Sequence, residues 1–226
     1  MHEHFGIPIP AEYPLEKAGP LMCSGITVWD PLVHFGAGNG GKKVAVAGVG
    51  GLGVFAIKLA RALGNEVTGL TTNPNKRAKI EEFGATCLVL SDADALAAAA
   101  KSFDLILDTI PKAHDLMQYV PLLAHDGTHV LLGLNTEPYA VSGLPLVFGR
   151  TRIAGACIAG IQSTQDCMAF CAKHKIFQET ELIPVDRLNE AFEKLEQKND
   201  LPVRYVLDIA GTLPSPDDIS DPYEDA

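Results

Sequence analysis

The sequence lacks any run of eighteen or more apolar residues, which excludes a membrane-spanning helix. Cations are also scarce. Lys and Arg total 18 against 28 Asp and Glu, giving a formal net charge of -10 at pH 7. That balance repels polyphosphate and anionic lipid at long range, so neither nucleic acid nor membrane is expected as a partner. Small anionic ligands remain open, because backbone amides and a few placed cations can hold a phosphate inside an acidic protein. Only five cysteines occur, at irregular positions (Cys23, Cys87, Cys157, Cys167 and Cys171), and an odd, scattered set does not make a disulfide framework. A reducing compartment follows. The first residues show neither a basic region nor an apolar stretch with a cleavage site, so a cytoplasmic location is the expectation.

What is present suits a globular chain. Of the 226 residues, 47% are apolar, enough for one large domain with an appendage. Short runs rich in Val, Ile and Leu alternate with longer helical patterns, which is how a parallel sheet covered by helices looks in sequence. Strands are expected at 43–47, 67–71, 87–90, 105–108, 129–133 and 152–156, with helices beginning near Gly51, Asn75, Asp92, Ala113 and Thr164. Six strands at this cadence imply an α/β fold, a doubly wound parallel sheet of Rossmann type. Residues 187–198 then place Leu188, Ala191, Phe192 and Leu195 on one helical face, and 203–209 reads as a strand. The expected organisation is a connecting segment at 1–33, the main domain at 34–180, a return segment at 181–210 and an acidic tail at 211–226. The connecting segment contains Pro8, Pro10, Pro14, Pro20 and Pro31 in a mixed pattern. The tail holds five acids and no Lys or Arg, and its composition reads as disordered.

The strongest chemical signal is the strand Val44 to Ala47 running directly into Gly48-Val49-Gly50-Gly51-Leu52-Gly53 and then into a helix. Gly48 allows the tight turn, Gly50 lets backbone approach a pyrophosphate, and Gly53 permits close packing of helix on strand. The phosphates would meet unpaired amides at a helix N-terminus. The bland reading of the same residues is a glycine-rich turn without a ligand. About twenty residues after the first glycine, where an Asp or Glu would hold the ribose of NAD, the second strand ends Thr71-Thr72-Asn73, followed by Lys76 and Arg77. Hydroxyls with a cation nearby suit a 2'-phosphate, so NADP is preferred over NAD. Asn73 and Pro74 also suit the cap and first position of a helix.

With these residues in hand, the chain resembles the zinc-dependent medium-chain alcohol dehydrogenases, and within them the cinnamyl alcohol dehydrogenase branch. The resemblance rests on 20–29, the glycine loop, Phe83-Gly84-Ala85, Asp108-Thr109, 145–150 and 153–160. It implies an enzyme that oxidises primary alcohols or reduces aldehydes, with NADP as hydride carrier. By similarity, Thr27, Gly48 to Gly53, Thr71, Thr72, Asn73, Lys76, Thr109, Gly133, Ala156, Cys157 and Ile158 would line the cofactor. Cys23 falls where the family keeps its last catalytic zinc ligand. The resemblance further implies a homodimer joined through the edge strand near 153–158, and makes 181–210 a remnant of a GroES-like catalytic domain. Most of that domain has no counterpart here, so zinc belongs to the full-length enzyme and this chain is expected to be catalytically incomplete. His2, His4 and His34 show no ligand spacing that would complete a site with Cys23. His114, His125, His129 and His174 read as ordinary surface or core residues, and Cys167 with Cys171 as inert packing. The alternative is a non-catalytic NADP(H)-binding module.

Overall fold

The computed structural model describes residues 2–196 and 203–212. Six parallel strands form the main sheet: β1 (Lys43–Ala47), β2 (Glu66–Thr71), β3 (Thr86–Val89), β4 (Phe103–Asp108), β5 (Leu123–Leu131) and β6 (Arg152–Gly155). Their order is β3-β2-β1-β4-β5-β6, the doubly wound arrangement, in which the strand order reverses beside β1. β1 sits between β2 and β4, and Val44 to Ala47 are buried on both faces. Val44 and Val46 join one core; Ala45 and Ala47 join the other. Burial on both sides explains why such strands read as continuous apolar runs.

α3 (Gly51–Ala62) packs on the first face, burying Val54, Phe55, Ala56, Ile57, Leu59 and Ala60. Gly64, at φ +87°, ends it in a left-handed turn, with Asn65 N donating back to Ala60 O at 3.1 Å. α4 (Arg77–Glu82) is preceded by a 3-10 turn over Pro74–Lys76, whose cap is Asn73: its side chain accepts from Asn75 N. α5 (Ala93–Ala98) is capped in the same way by Asp92, which accepts from Ala95 N. α7 (Ile161–His174) starts three residues ahead of the expected Thr164 and closes the first layer. Its Cys167 and Cys171 are buried, and the hydrogen bond between them, followed by burial, pushes the Cys167 thiol up, which fits inert packing.

One expectation fails, and one segment left without an assignment proves helical. No α-helix begins near Ala113; the chain makes two 3-10 turns, Leu116–Gln118 and Val120–Leu122, because Pro111 and Pro121 interrupt regular bonding there. The proline-containing N-terminal region is helical instead: α1 (Leu15–Pro20), a π-turn at Leu21–Gly25 and α2 (Ile26–His34) follow one another. Pro31 lies within α2, which nonetheless buries Ile26, Val28, Trp29 and Leu32 in the same core as α3 and α7. α6 (Gly143–Gly149), not expected from the sequence, exposes Leu144, Val147 and Phe148.

A second, two-stranded parallel sheet pairs β7 (Thr180–Pro184) with β8 (Arg204–Asp208), joined through α8 (Leu188–Glu196). α8 buries Ala191 and leaves Phe192 and Leu195 exposed. α9 (Ile209–Thr212) takes the first two residues of the expected tail into a helix; 213–226 lie outside the described residues, as do 197 and 198 of the expected helix.

One buried amide locks the start of the sheet. Asn65 Nδ2 donates to Ala37 O and Ala60 O, each at 2.9 Å, and its Oδ1 accepts from Lys42 N at 3.1 Å. Removing it takes the Asn65 side chain from Lys42 N and one of the donors from each of Ala37 O and Ala60 O. Asn65→Ala is expected to cost roughly 1–3 kcal/mol in urea denaturation; an unchanged midpoint would show that water replaces the amide.

Candidate functional site

The C-terminal ends of β1, β2 and β4 open onto one groove of about 560 Å³. Gly48 and Val49 from the β1 turn line it, with Thr71, Thr72, Asn73 and Lys76 after β2, and Ile110, Lys112, Ala113, His114, Gln118 and Tyr119 after β4. The lining residues include two lysines and no carboxylate. In a chain of net charge -10 this is a local reversal of sign.

The turn out of β1 is built by close backbone contacts. Gly48 has φ +81°, a conformation L side chains rarely adopt. A Cβ on Gly53 would lie 2.1 Å from the Gly48 carbonyl oxygen, so α3 can approach the strand this closely only with glycine there. Gly50 differs: nothing lies within 4 Å of where its Cβ would be. Gly50 is the N-cap of α3 and supplies no side-chain cap, which leaves the amides of Gly51, Leu52 and Gly53 at the open end of a twelve-residue helix.

Thr109 fixes the same turn from the neighbouring strand. Its hydroxyl lies 3.1 Å from Ala47 O and 2.5 Å from Gly48 O, and its amide donates to Ala47 O at 2.9 Å. The Thr109 side chain is thereby occupied within the protein. Gly133 is required by another approach: a Cβ there would sit 2.0 Å from Ile110 O. Thr71 Oγ1 accepts from Asn73 N at 3.1 Å, shaping the bend after β2, while Thr72 is exposed.

The remaining expected residues do not line this groove. Thr27 is half-buried in α2 and donates to Cys23 O at 2.8 Å. Ala156 donates to Leu131 O, and Cys157 and Ile158 are exposed beyond β6, Ile158 at φ +39°. Cys23 is an exposed free thiol in a separate hollow shared with Gly19, Pro20, Ser24 and Arg204 to Val206. Among the described residues no group of three or more His, Cys, Asp and Glu is placed to hold a metal. Catalytic zinc takes three protein ligands, so Cys23 by itself does not make that site.

Sequence reasoning missed Lys112, His114 and Tyr119. They come to the groove through turns without periodicity. Tyr119 is buried edge-on to His114 and His129, and its phenol is pushed up to about 12, first by burial, then by Asp108 and Asp115.

The two glycines separate packing from space. Gly53→Ala should lower stability by about 1–3 kcal/mol, as overpacked interiors do, whereas Gly50→Ala should stay within about 0.5 kcal/mol of the parent. Equal midpoints for the two variants in chemical denaturation would contradict this geometry.

Residues 51–173 match the sequence pattern of the zinc-binding dehydrogenases. A probable cinnamyl alcohol dehydrogenase from Pinus taeda is 41% identical over 210 residues, covering 92% of this chain and 58% of that protein. A probable mannitol dehydrogenase from Medicago sativa is 41% identical over 217 residues, covering 95% of this chain and 60% of that one. Among solved structures, a cinnamyl alcohol dehydrogenase from Sorghum bicolor superposes with a TM-score of 0.84 at 34% identity, over 91% of this chain and 59% of that chain. The enzyme of the same name from Helicobacter pylori, complexed with NADP(H), gives 0.78 at 32% identity, over 91% and 58%. The chain thus spans somewhat under two thirds of the length of the relatives it matches. Cinnamyl alcohol and mannitol dehydrogenases are thus among the proteins it is similar to, and its glycine-dependent turn, strand order and pattern match together place it in the zinc-binding dehydrogenase family.

Proposed function

We propose that this chain is the NADP-binding part of an alcohol dehydrogenase or aldehyde reductase of the cinnamyl alcohol dehydrogenase type. The observation that carries the reading is the groove that gathers Gly48, Val49, Thr71, Thr72, Asn73 and Lys76 with no carboxylate among its lining residues. The open space at Gly50 and the free amides of α3 fit a pyrophosphate. The hydroxyls of Thr71 and Thr72, the Asn73 amide and Lys76 would take the adenosine ribose and its 2'-phosphate, with Lys112 adding a second positive charge to the groove. A ribose without that phosphate would find no carboxylate to accept its hydroxyls. Bound NADPH supplies the hydride; the chain's own residues hold and orient it. The NADP(H) complex of the H. pylori relative supports the choice of nucleotide.

Cys23 is the zinc ligand this chain would contribute, and one thiol is two ligands short of a catalytic site. The polypeptide by itself is therefore expected to bind NADPH and to turn over small alcohols or aldehydes feebly. The unpaired side of β6, at the end of the sheet order, and the exposed Leu144, Val147 and Phe148 of α6 suit a second copy, giving a homodimer. Phe148→Asp should move the species seen by sedimentation from dimer toward monomer; a monomeric parent would refute the interface.

Fluorescence titration tests the nucleotide directly. The parent should prefer NADPH to NADH, and Lys76→Glu should weaken NADPH by roughly tenfold or more while leaving NADH much less affected. Equal losses for the two nucleotides would remove the 2'-phosphate assignment.

A further inference from the structure

One wall of the groove contains a polar network that nucleotide binding does not call for. Asp108, at the end of β4, is 1% exposed. Its Oδ2 lies 2.7 Å from His114 Nε2 and 2.9 Å from His129 Nε2, and its Oδ1 accepts from Ile110 N at 3.0 Å. The second ring nitrogen of His114, Nδ1, lies 2.7 Å from the carbonyl oxygen of Lys112. A carbonyl only accepts, and so does an ionised carboxylate. Both nitrogens of His114 therefore face acceptors, and the imidazolium is the form that donates to both.

His129 makes the opposite case. It is wholly buried on β5, and its Nδ1 has no partner. A proton on that atom would be buried without an acceptor, at high cost, which leaves His129 as the neutral ring with its hydrogen on Nε2. The shared carboxylate then receives a hydrogen bond from each ring and one from the Ile110 amide. The groups around His114 are Asp108 from β4, His129 from β5, the rings of Tyr119 and Tyr139 at 5.8 and 5.4 Å, and Lys112 of its own turn. Asp108 is the anion among these. Tyr119 stays neutral, since burial holds its phenol near 12.

We propose that His114 is a proton-operated latch on the nucleotide groove, tying the turn that carries Lys112 and Ala113 to β4 while protonated and releasing it when neutral. The proposal rests on the nucleotide reading of that groove. When the proton leaves, the Nδ1 lone pair faces the Lys112 carbonyl at 2.7 Å, so a hydrogen bond gives way to repulsion between two acceptors. Lys112 and Ala113, both lining the groove, then lose their anchor. Binding is strongest while His114 keeps both protons and declines once the Nδ1 proton is lost.

The test is NADPH affinity of the whole chain, measured from about pH 5.5 to about pH 8.5 at fixed ionic strength, across the imidazole range. His114→Gln and His129→Leu are compared with the parent. Ionisation of the ligand's own phosphate is common to all three proteins and cancels in their ratios. The parent should lose roughly threefold to tenfold more affinity across the range than His114→Gln, the worth of about one hydrogen bond. His129→Leu should retain a fall in affinity with pH, because His114 keeps both of its acceptors. Parallel profiles for parent and His114→Gln, with binding intact, would overturn the latch and leave the nucleotide reading standing. Absence of NADPH binding at every pH would sink both. Nitrogen chemical shifts of the histidine rings give an independent reading should a variant fail to fold: both His114 nitrogens carry hydrogen at the acid end, and a neutral ring there would overturn the proposal.

Discussion

Everything at the nucleotide end of this molecule depends on how closely three backbones approach one another where β1, β4 and β5 finish. Gly53 brings α3 onto the Gly48 carbonyl, the Thr109 hydroxyl bonds the same carbonyl from the side, and Gly133 lets the chain after β5 lie against Ile110. Without those contacts α3 would stand off the sheet, and its amides would not point over the ends of the strands. With them, the turn is rigid and Gly50 alone faces open space. Packing and recognition are divided between glycines two and three positions apart.

The same economy governs charge. The chain is acidic as a whole, yet two lysines and the hydroxyls of Thr71 and Thr72 line its groove, a local reversal of sign that suits the phosphorylated nucleotide proposed for it. Asp108, at the end of β4, is buried and bonded to two histidines and a backbone amide. Other surfaces have no such use within the described residues. The outer side of β6 with α6, the apolar face of α8 and the exposed thiol of Cys23 are features of a chain that matches somewhat under two thirds of its relatives' length.

The middle of the sheet was legible in the sequence because its strands are buried on both faces, so Val44 to Ala47 and Leu105 to Leu107 read as unbroken apolar runs. The glycine loop was legible because each glycine answers a distinct steric demand. Proline is less legible. The prolines of 1–33 gave only a mixed pattern, yet Pro20 sits at the join of α1 with a π-turn and Pro31 lies buried within α2. After Pro111 the expected helix is replaced by two 3-10 turns, the second of which contains Pro121. The site was half legible. Thr71 to Asn73 and Lys76 sit at the end of a strand, where position predicts role; Lys112, His114 and Tyr119 reach the groove through irregular turns that have no period to read. Thr27, Cys23 and Ala156 to Ile158 rested on resemblance and are not among the residues that line the groove.

The most direct measurement of the central claim is calorimetric titration of Gly50→Val with NADPH, NADH and ADP. The extended backbone at Gly50, φ -105° and ψ -159°, accepts a branched side chain, so the variant folds while its methyl groups fill the space a pyrophosphate would occupy. The account predicts parent-like unfolding and a common loss of affinity for all three nucleotides. Undiminished binding by a folded Gly50→Val protein would contradict it.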